Sequence, residues 1–235
     1  MNYFYHASLD SSVKQFLLDP EESRHIVKVL RKQGGDQLSI TNGKGYLFTA
    51  EILEPNPKRC TVRVVESRKS PPPRFDLTLA VAPPKRVERF QWFLEKATEI
   101  GVARIVPLIC DRSERQTLPL DRLQRVVQEA MKQSLQTFLP VLEEPLGYGA
   151  FLEREQPLLR FIAHCGEDEK MDLKRRVAPD KDAVVLIGPE GDFTPAEIQA
   201  AYRQGFIPVS LGKNRLRTET AALVACATIN SINNG

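Results

Sequence analysis

Metal-binding patterns are the first thing this chain is short of. Its four cysteines, Cys60, Cys110, Cys165 and Cys226, stand alone, no C-x-x-C pair exists, and there are only three histidines. That spacing excludes the usual zinc clusters and a disulfide framework. No apolar stretch approaches the length of a bilayer-crossing helix; the longest, such as Ala183–Ile187, are a few residues. The first residues, Met1-Asn2-Tyr3-Phe4-Tyr5-His6, lack the basic and apolar regions of a secretory signal. Free thiols without such a signal suit a reducing compartment, so the expectation is a cytoplasmic protein with no membrane partner. No Gly-Lys-Ser/Thr loop is present, which excludes a P-loop, and the G-x-G-x-x-G dinucleotide spacing is absent as well. There is no internal repeat.

Charge is present in both signs and unevenly spread. Residues 1–73 carry 11 Lys and Arg against 8 Asp and Glu, whereas residues 74–235 carry 22 of each. The whole excess of +3 lies in the first third. This fits an anionic partner held by the N-terminal part, or ordinary surface variation.

Ser70-Pro71-Pro72-Pro73-Arg74 marks a boundary, because consecutive prolines fix φ and lack backbone donors. Domains over 1–70 and 74–235 follow. In the first, Asp36–Thr41 and Tyr46–Leu53 flank Asn42-Gly43, a hairpin signal, and Cys60–Val65 alternates like a half-buried strand. Asp19 as N-cap, Pro20 and two glutamates start a helix. Ile26, Val29 and Leu30 give that helix an apolar stripe, and Gly34-Gly35 should stop it. The expectation is a small β-barrel with one helix. In the second domain, strand-like runs at Phe75–Val81, Arg104–Ile109, Leu158–Ala163, Ala183–Ile187 and Ile207–Leu211 alternate with amphipathic helices, which predicts a parallel sheet covered on both faces. Thr194-Pro195-Ala196-Glu197 is a capping box that must open a helix, and a last helix runs from about Thr218 to Ile229.

Ligands of an open parallel sheet bind beyond the carboxyl ends of its strands. Two such ends carry unusual sequence. Ile187-Gly188-Pro189-Glu190-Gly191-Asp192 leads from a buried strand into the capped helix; it is either a place where a ligand meets the backbone or a tight strand-to-helix turn. Leu211-Gly212-Lys213-Asn214-Arg215-Leu216-Arg217-Thr218-Glu219 is either a loop that places its cations or an exposed basic loop, with Thr218 or Thr220 capping the helix after it. His164 and Cys165 are adjacent on a strand and point to opposite faces, which argues against a thiol–imidazole pair.

Taken together, Gly188-Pro189-Glu190-Gly191, Leu211-Gly212 and Leu216-Arg217-Thr218-Glu219-Thr220-Ala221 resemble the signature of the bacterial 16S ribosomal RNA uridine-N3 methyltransferase family of the SPOUT superfamily. Arg24-His25, Val29-Leu30-Arg31, Gly35-Asp36, Lys96–Val102, Pro107, Gln133-Ser134 and Pro140 extend the resemblance along most of the chain. It departs from the family pattern at Lys132, Gln136, Asp192, Asn214 and Arg215.

The resemblance implies a PUA-like N-terminal β-barrel and a C-terminal α/β domain whose last segments form a trefoil knot. It also implies S-adenosylmethionine as cofactor without a metal, a homodimer, and methylation of a uridine N3 in the small ribosomal subunit or its RNA. On that reading Ile187, Gly188, Glu190, Gly191, Leu211, Gly212 and Leu216 receive the cofactor. Arg217, with Arg215 second, stabilises charge on the uracil carbonyls, and Glu219 is either the general base or an ion-pair partner of Arg217. Arg24, Lys28 and Arg31, spaced four and three apart, form a strip for a phosphate backbone or a solvated basic face. The rivals are a non-catalytic RNA-binding assembly factor and a SPOUT enzyme acting on another target, such as a ribose 2′-hydroxyl.

Overall fold

The structure is a computed structural model that describes residues 3–234. It divides into two compact units, one of residues 1–72 with 131–139, the other of 73–130 with 140–235.

In the first unit β1 (Phe4–Tyr5), β2 (Gln15–Leu17), α1 (Pro20–Arg24), β3 (Gln37–Thr41), β4 (Tyr46–Glu54) and β5 (Thr61–Lys69) follow in order. The strands form one sheet in the order β1-β3-β4-β5-β2, in which only β1–β3 is parallel. No ladder joins β1 to β2 among the described residues, and the sheet is a half-barrel, in keeping with the PUA-like barrel expected. Period-2 alternation sends Leu38, Ile40, Phe48, Ala50, Ile52 and Val62 into its core. The β3–β4 turn is held by the Asn42 side chain, whose Oδ1 accepts from the amides of Lys44 (2.8 Å) and Tyr46 (3.2 Å). Gly43, not Asn42, takes the positive φ.

Asp19 caps α1 as the sequence indicates, accepting from the Glu22 amide at 2.8 Å. The helix does not continue in α form. Residues His25–Val29 make a π-turn, with the Leu30 amide donating to the His25 carbonyl at 2.9 Å, and Arg31 ends it at φ +55°. Each i→i+5 bond inserts one residue and moves the following side chains off the α-helical face. Ile26 is therefore buried, while Val29 and Leu30 are 67% and 46% exposed. The expected stripe and the stop at Gly34-Gly35 are both corrected by this turn. Segment 131–139 belongs to the same unit: the Lys132 ammonium pairs with Glu22 at 2.8 Å, both side chains buried, and the Gly45 amide donates to the Thr137 carbonyl at 2.8 Å. The family departure at Lys132 is thus half of a buried ion pair.

The second unit contains β6 (Leu77–Val81), α2 (Val87–Ile100), β7 (Arg104–Ile109), most of α3 (Leu120–Gln133), β8 (Val141–Leu142), β9 (Leu146–Gly147), α4 (Tyr148–Leu152), β10 (Leu159–Ala163), β11 (Met171–Asp172), β12 (Ala183–Ile187), α5 (Pro195–Arg203), β13 (Ile207–Ser210) and α6 (Thr218–Asn234). All pairings are parallel, in the order β11-β13-β10-β12-β6-β7-β8, with β9 also beside β7. The five strands read from the sequence are all present; β8, β9 and β11 are two-residue strands too short to leave a pattern. Ala80, Val106, Leu108, Ile162, Val184 and Leu186 pack with α4 and α5 residues such as Phe151 and Ala201. Their neighbours of opposite parity, among them Leu79, Ile105, Val185 and Ile187, are also buried, and α6 packs against α2, β6 and β12. No helix of the described residues is long and apolar enough to cross a membrane.

Candidate active site

At the carboxyl end of β12 the chain enters a tight turn, with the Asp192 amide donating to the Pro189 carbonyl at 2.9 Å. Gly188 is buried, and a Cβ there would come within 3.0 Å of the Phe193 ring, so its glycine serves that packing. Asp192 stands at φ +62°, a left-handed conformation that glycine adopts freely and aspartate tolerates better than most residues. Its carboxylate also accepts from the Cys165 amide at 2.9 Å, so it ties the turn to the end of β10. Glu190 is exposed and accepts from the Lys85 amide at 3.1 Å. Arg112 donates to the Gly191 carbonyl at 2.8 Å, and Arg115 donates twice to the Lys85 carbonyl at 2.9 and 2.7 Å. The loops after β6 and β7 thus brace the Gly188–Asp192 turn. Sequence reasoning missed Lys85, Arg112 and Arg115; their position just beyond two strand ends was the available signal.

The second loop follows β13. Gly212 has φ +134° and no atom within 4 Å of where a Cβ would lie, so that side of it is open, while its amide and carbonyl both meet the Ser210 hydroxyl at 3.2 Å. Lys213, Asn214, Arg215 and Arg217 are exposed, and Leu211 and Leu216 are half-buried. Neither threonine caps α6 as expected. The Thr218 hydroxyl donates instead to the Gly188 carbonyl at 3.1 Å, joining the two loops, while the Arg217 carbonyl accepts from the Ala221 amide at 2.8 Å.

Where α6 begins, Glu88, Arg89, Trp92, Arg217, Glu219 and Thr220 line an open depression of about 390 Å³. The Glu219 side chain is 9% exposed, with Oε1 3.8 Å from Nε of Arg89. Its Oε2 is buried with no hydrogen-bond partner. Arg217 makes no ion pair or side-chain hydrogen bond among the described residues. The ion pair between Glu219 and Arg217, one of the two expectations for that carboxylate, is therefore not formed; Arg89 holds Glu219 from α2. A buried carboxylate oxygen without a partner is costly, and Glu219 shares its depression with the exposed Arg217, an arrangement suited to a ligand that brings a donor to one and acceptors to the other.

Behind the turn, His164 Nδ1 accepts from the Gly166 amide at 3.1 Å, and its Nε2 lies 3.0 Å from the Tyr202 hydroxyl, which donates to Asp168 at 2.7 Å. Burial, and secondarily Lys170, pushes the His164 pKa below its ordinary value. Burial and then Asp168 push Tyr202 up to about 12. Cys165 is exposed while the His164 ring is buried, so the two do not meet. Among the described residues no group of three or more His, Cys, Asp or Glu could hold a metal. In the first unit Arg24, Lys28 and Arg31 are all exposed.

Residues 70–230 match the family described as RNA methyltransferase domain, and residues 18–65 match the RNA methyltransferase PUA domain. Ribosomal RNA small subunit methyltransferase E of Rickettsia conorii is 32% identical over 209 residues, covering 87% of this chain and 85% of the relative. A probable rRNA-methyltransferase from Porphyromonas gingivalis superposes with a TM-score of 0.93 at 38% identity, covering 100% of this chain and 99% of the other. A ribosomal RNA small subunit methyltransferase E from Neisseria gonorrhoeae, bound to S-adenosyl methionine, superposes with a TM-score of 0.87 at 28% identity over 99% and 98% of the two chains. Both halves of the sequence and nearly the whole of the fold agree on one assignment: the chain belongs to the ribosomal RNA small subunit methyltransferase E family.

Proposed function

We propose that this chain transfers a methyl group from S-adenosylmethionine to N3 of a uridine in 16S ribosomal RNA, as a cytoplasmic homodimer. The observation that carries the proposal is that Glu219, whose Oε2 is buried and unpartnered, and the exposed Arg217 line the same depression. Uridine N3 bears a weakly acidic hydrogen between two carbonyls, which is the complement of that pair.

The cofactor fits the two loops. The Cβ side of Gly212 is open, and Leu211 and Leu216 in the same loop are half-buried. Backbone groups of Ile187, Gly188 and Gly191, in a turn that Arg112 bonds at Gly191 and Lys85 bonds at Glu190, complete the cradle. When bound, S-adenosylmethionine supplies a methyl group on a sulfonium that is already strongly electrophilic, so the chain needs no metal. The protein's own work is to orient the base and manage one proton and one charge. Glu219 Oε2 takes the N3 proton, and Arg217 stabilises the negative charge that then spreads onto O2 and O4. N3 lies on the Watson–Crick edge, so the base must be unpaired or extruded first. Arg24, Lys28 and Arg31 contribute phosphate contacts in the N-terminal domain of 1–70, while the domain of 74–235 carries the chemistry. The reading includes a trefoil knot: after β13 the chain returns across β12 and β6 as α6, and Thr218 bonds the Gly188 carbonyl on the way.

The test is to map modified nucleotides in small-subunit RNA from cells with and without the protein, by reverse-transcription arrest and mass spectrometry. An N3-methyluridine present only with the protein supports the proposal. A methyl on a ribose hydroxyl would move the chain to the sister activity, and no change at all would leave an assembly factor.

A further inference from the structure

Trp92 is the chain's one tryptophan, and it lines the depression that holds Arg217 and Glu219. The buried face of α2 is complete without it: Phe90, Phe93, Leu94 and Ala97 fill that face and are fully buried, whereas Trp92 is 43% exposed. It makes no hydrogen bond among the described residues. The indole, half in solvent and one helical turn from Glu88 and Arg89 on the same lip, offers the depression a large, rigid aromatic surface.

The polar groups of the depression say what that something is. Glu219, with its unpartnered Oε2, is an acceptor and Arg217 a donor on the same depression, a pair that suits a ring edge carrying a donor beside acceptors. Edge contacts do not by themselves fix the plane of that ring. An aromatic face does, and it returns to an extruded base part of the stacking lost when it left its neighbours.

We propose that Trp92 is the stacking platform for the target uracil, a positioning residue that sets the base so that N3–H meets Glu219 and the carbonyls meet Arg217. This rests on the N3 methyltransferase reading and adds to it the group that selects and orients the base.

The experiment compares wild type with Trp92→Phe, Trp92→Leu and Trp92→Ala on small subunits purified from cells lacking the protein. It measures kcat and KM for the particle, cofactor affinity by calorimetry, and sedimentation. The phenyl variant should stay within about threefold of wild type, while leucine and alanine both lose about 10-fold or more in kcat/KM for the particle. Cofactor affinity and sedimentation should not move. Leucine performing as well as phenylalanine would reduce Trp92 to apolar bulk and overturn the proposal, as would wild-type kinetics in the alanine variant. A changed sedimentation of Trp92→Ala would assign the indole to a contact with a second copy and overturn it equally. Wild type that methylates an atom other than N3 fails earlier, before any substitution, and brings down the parent reading together with this one.

Discussion

Arg217 and Glu219 stand two residues apart where α6 begins and meet opposite environments, one in solvent and one buried. Helical geometry accounts for this: side chains two positions apart do not face each other, so an ion pair between them was never favoured once the helix began at Thr218. The sequence shows both residues but not the partner, because Arg89 is brought to Glu219 by packing of α2 on α6. The same geometry leaves the Arg217 guanidinium exposed and without an ion pair among the described residues, as the proposed role requires. Arg217→Lys should then lower the methylation rate roughly 10²-fold, on the order of 3 kcal/mol, because an ammonium does not reproduce the planar fork. Raising pH should restore part of the loss, since uridine already deprotonated in solution needs less help. Single-turnover methylation across pH, with cofactor binding measured alongside, is the check. A variant with weakened cofactor binding but a normal rate at saturation would transfer Arg217 to the cofactor cradle.

At the scale of elements, legibility follows from whether the controlling interaction is local. Asp19 and the Thr194–Glu197 box fix helix starts within one turn, and both behave as read: Thr194 Oγ1 accepts from the Glu197 amide at 3.2 Å, and Glu197 accepts from the Thr194 amide at 2.7 Å. The π-turn over His25–Val29 has no such local mark, since a single extra residue within a turn leaves the composition unchanged. Its consequence reaches function. Arg24 ends α1, Lys28 lies inside the π-turn and Arg31 follows in a left-handed conformation, so α-helical spacing does not align them. What remains is that all three are exposed on one short segment of a unit whose sequence carries the chain's excess positive charge. Replacing the three by Glu should weaken RNA binding and reduce the slope of log affinity against log salt by roughly 2 for a single-stranded target. Cofactor affinity should be unchanged. Filter binding from low to moderate salt tests it, and a folded triple variant with wild-type affinity would return the strip to solvated surface.

For the molecule as a whole, the parallel sheet was legible because strands buried on both faces leave continuous apolar runs such as Ala183–Ile187. The allocation of 131–139 to the first unit was not, since it depends on contacts between residues far apart in sequence, such as Glu22 with Lys132 and Gly45 with Thr137. A polar network of the same long-range kind should make global stability depend on pH. His164 is held neutral by burial, with Lys170 working in the same direction and Asp192 and Asp168 opposing it more weakly. Its ring already uses Nδ1 to accept from Gly166 and Nε2 to meet Tyr202, so a second ring proton has no acceptor at Nδ1. With the folded pKa below the unfolded value of about 6.5, the unfolded chain binds more protons in the interval between them. The contribution of His164 is therefore complete above the unfolded value and is lost as pH falls below it toward the folded one. Urea unfolding at about pH 7.5 and about pH 5.5 should show wild type losing more stability on acidification than His164→Gln, even though the variant is less stable at the higher pH. Equal losses in the two proteins would mean that His164 does not carry the acid sensitivity, which would then belong to the carboxylates that tie the loops together.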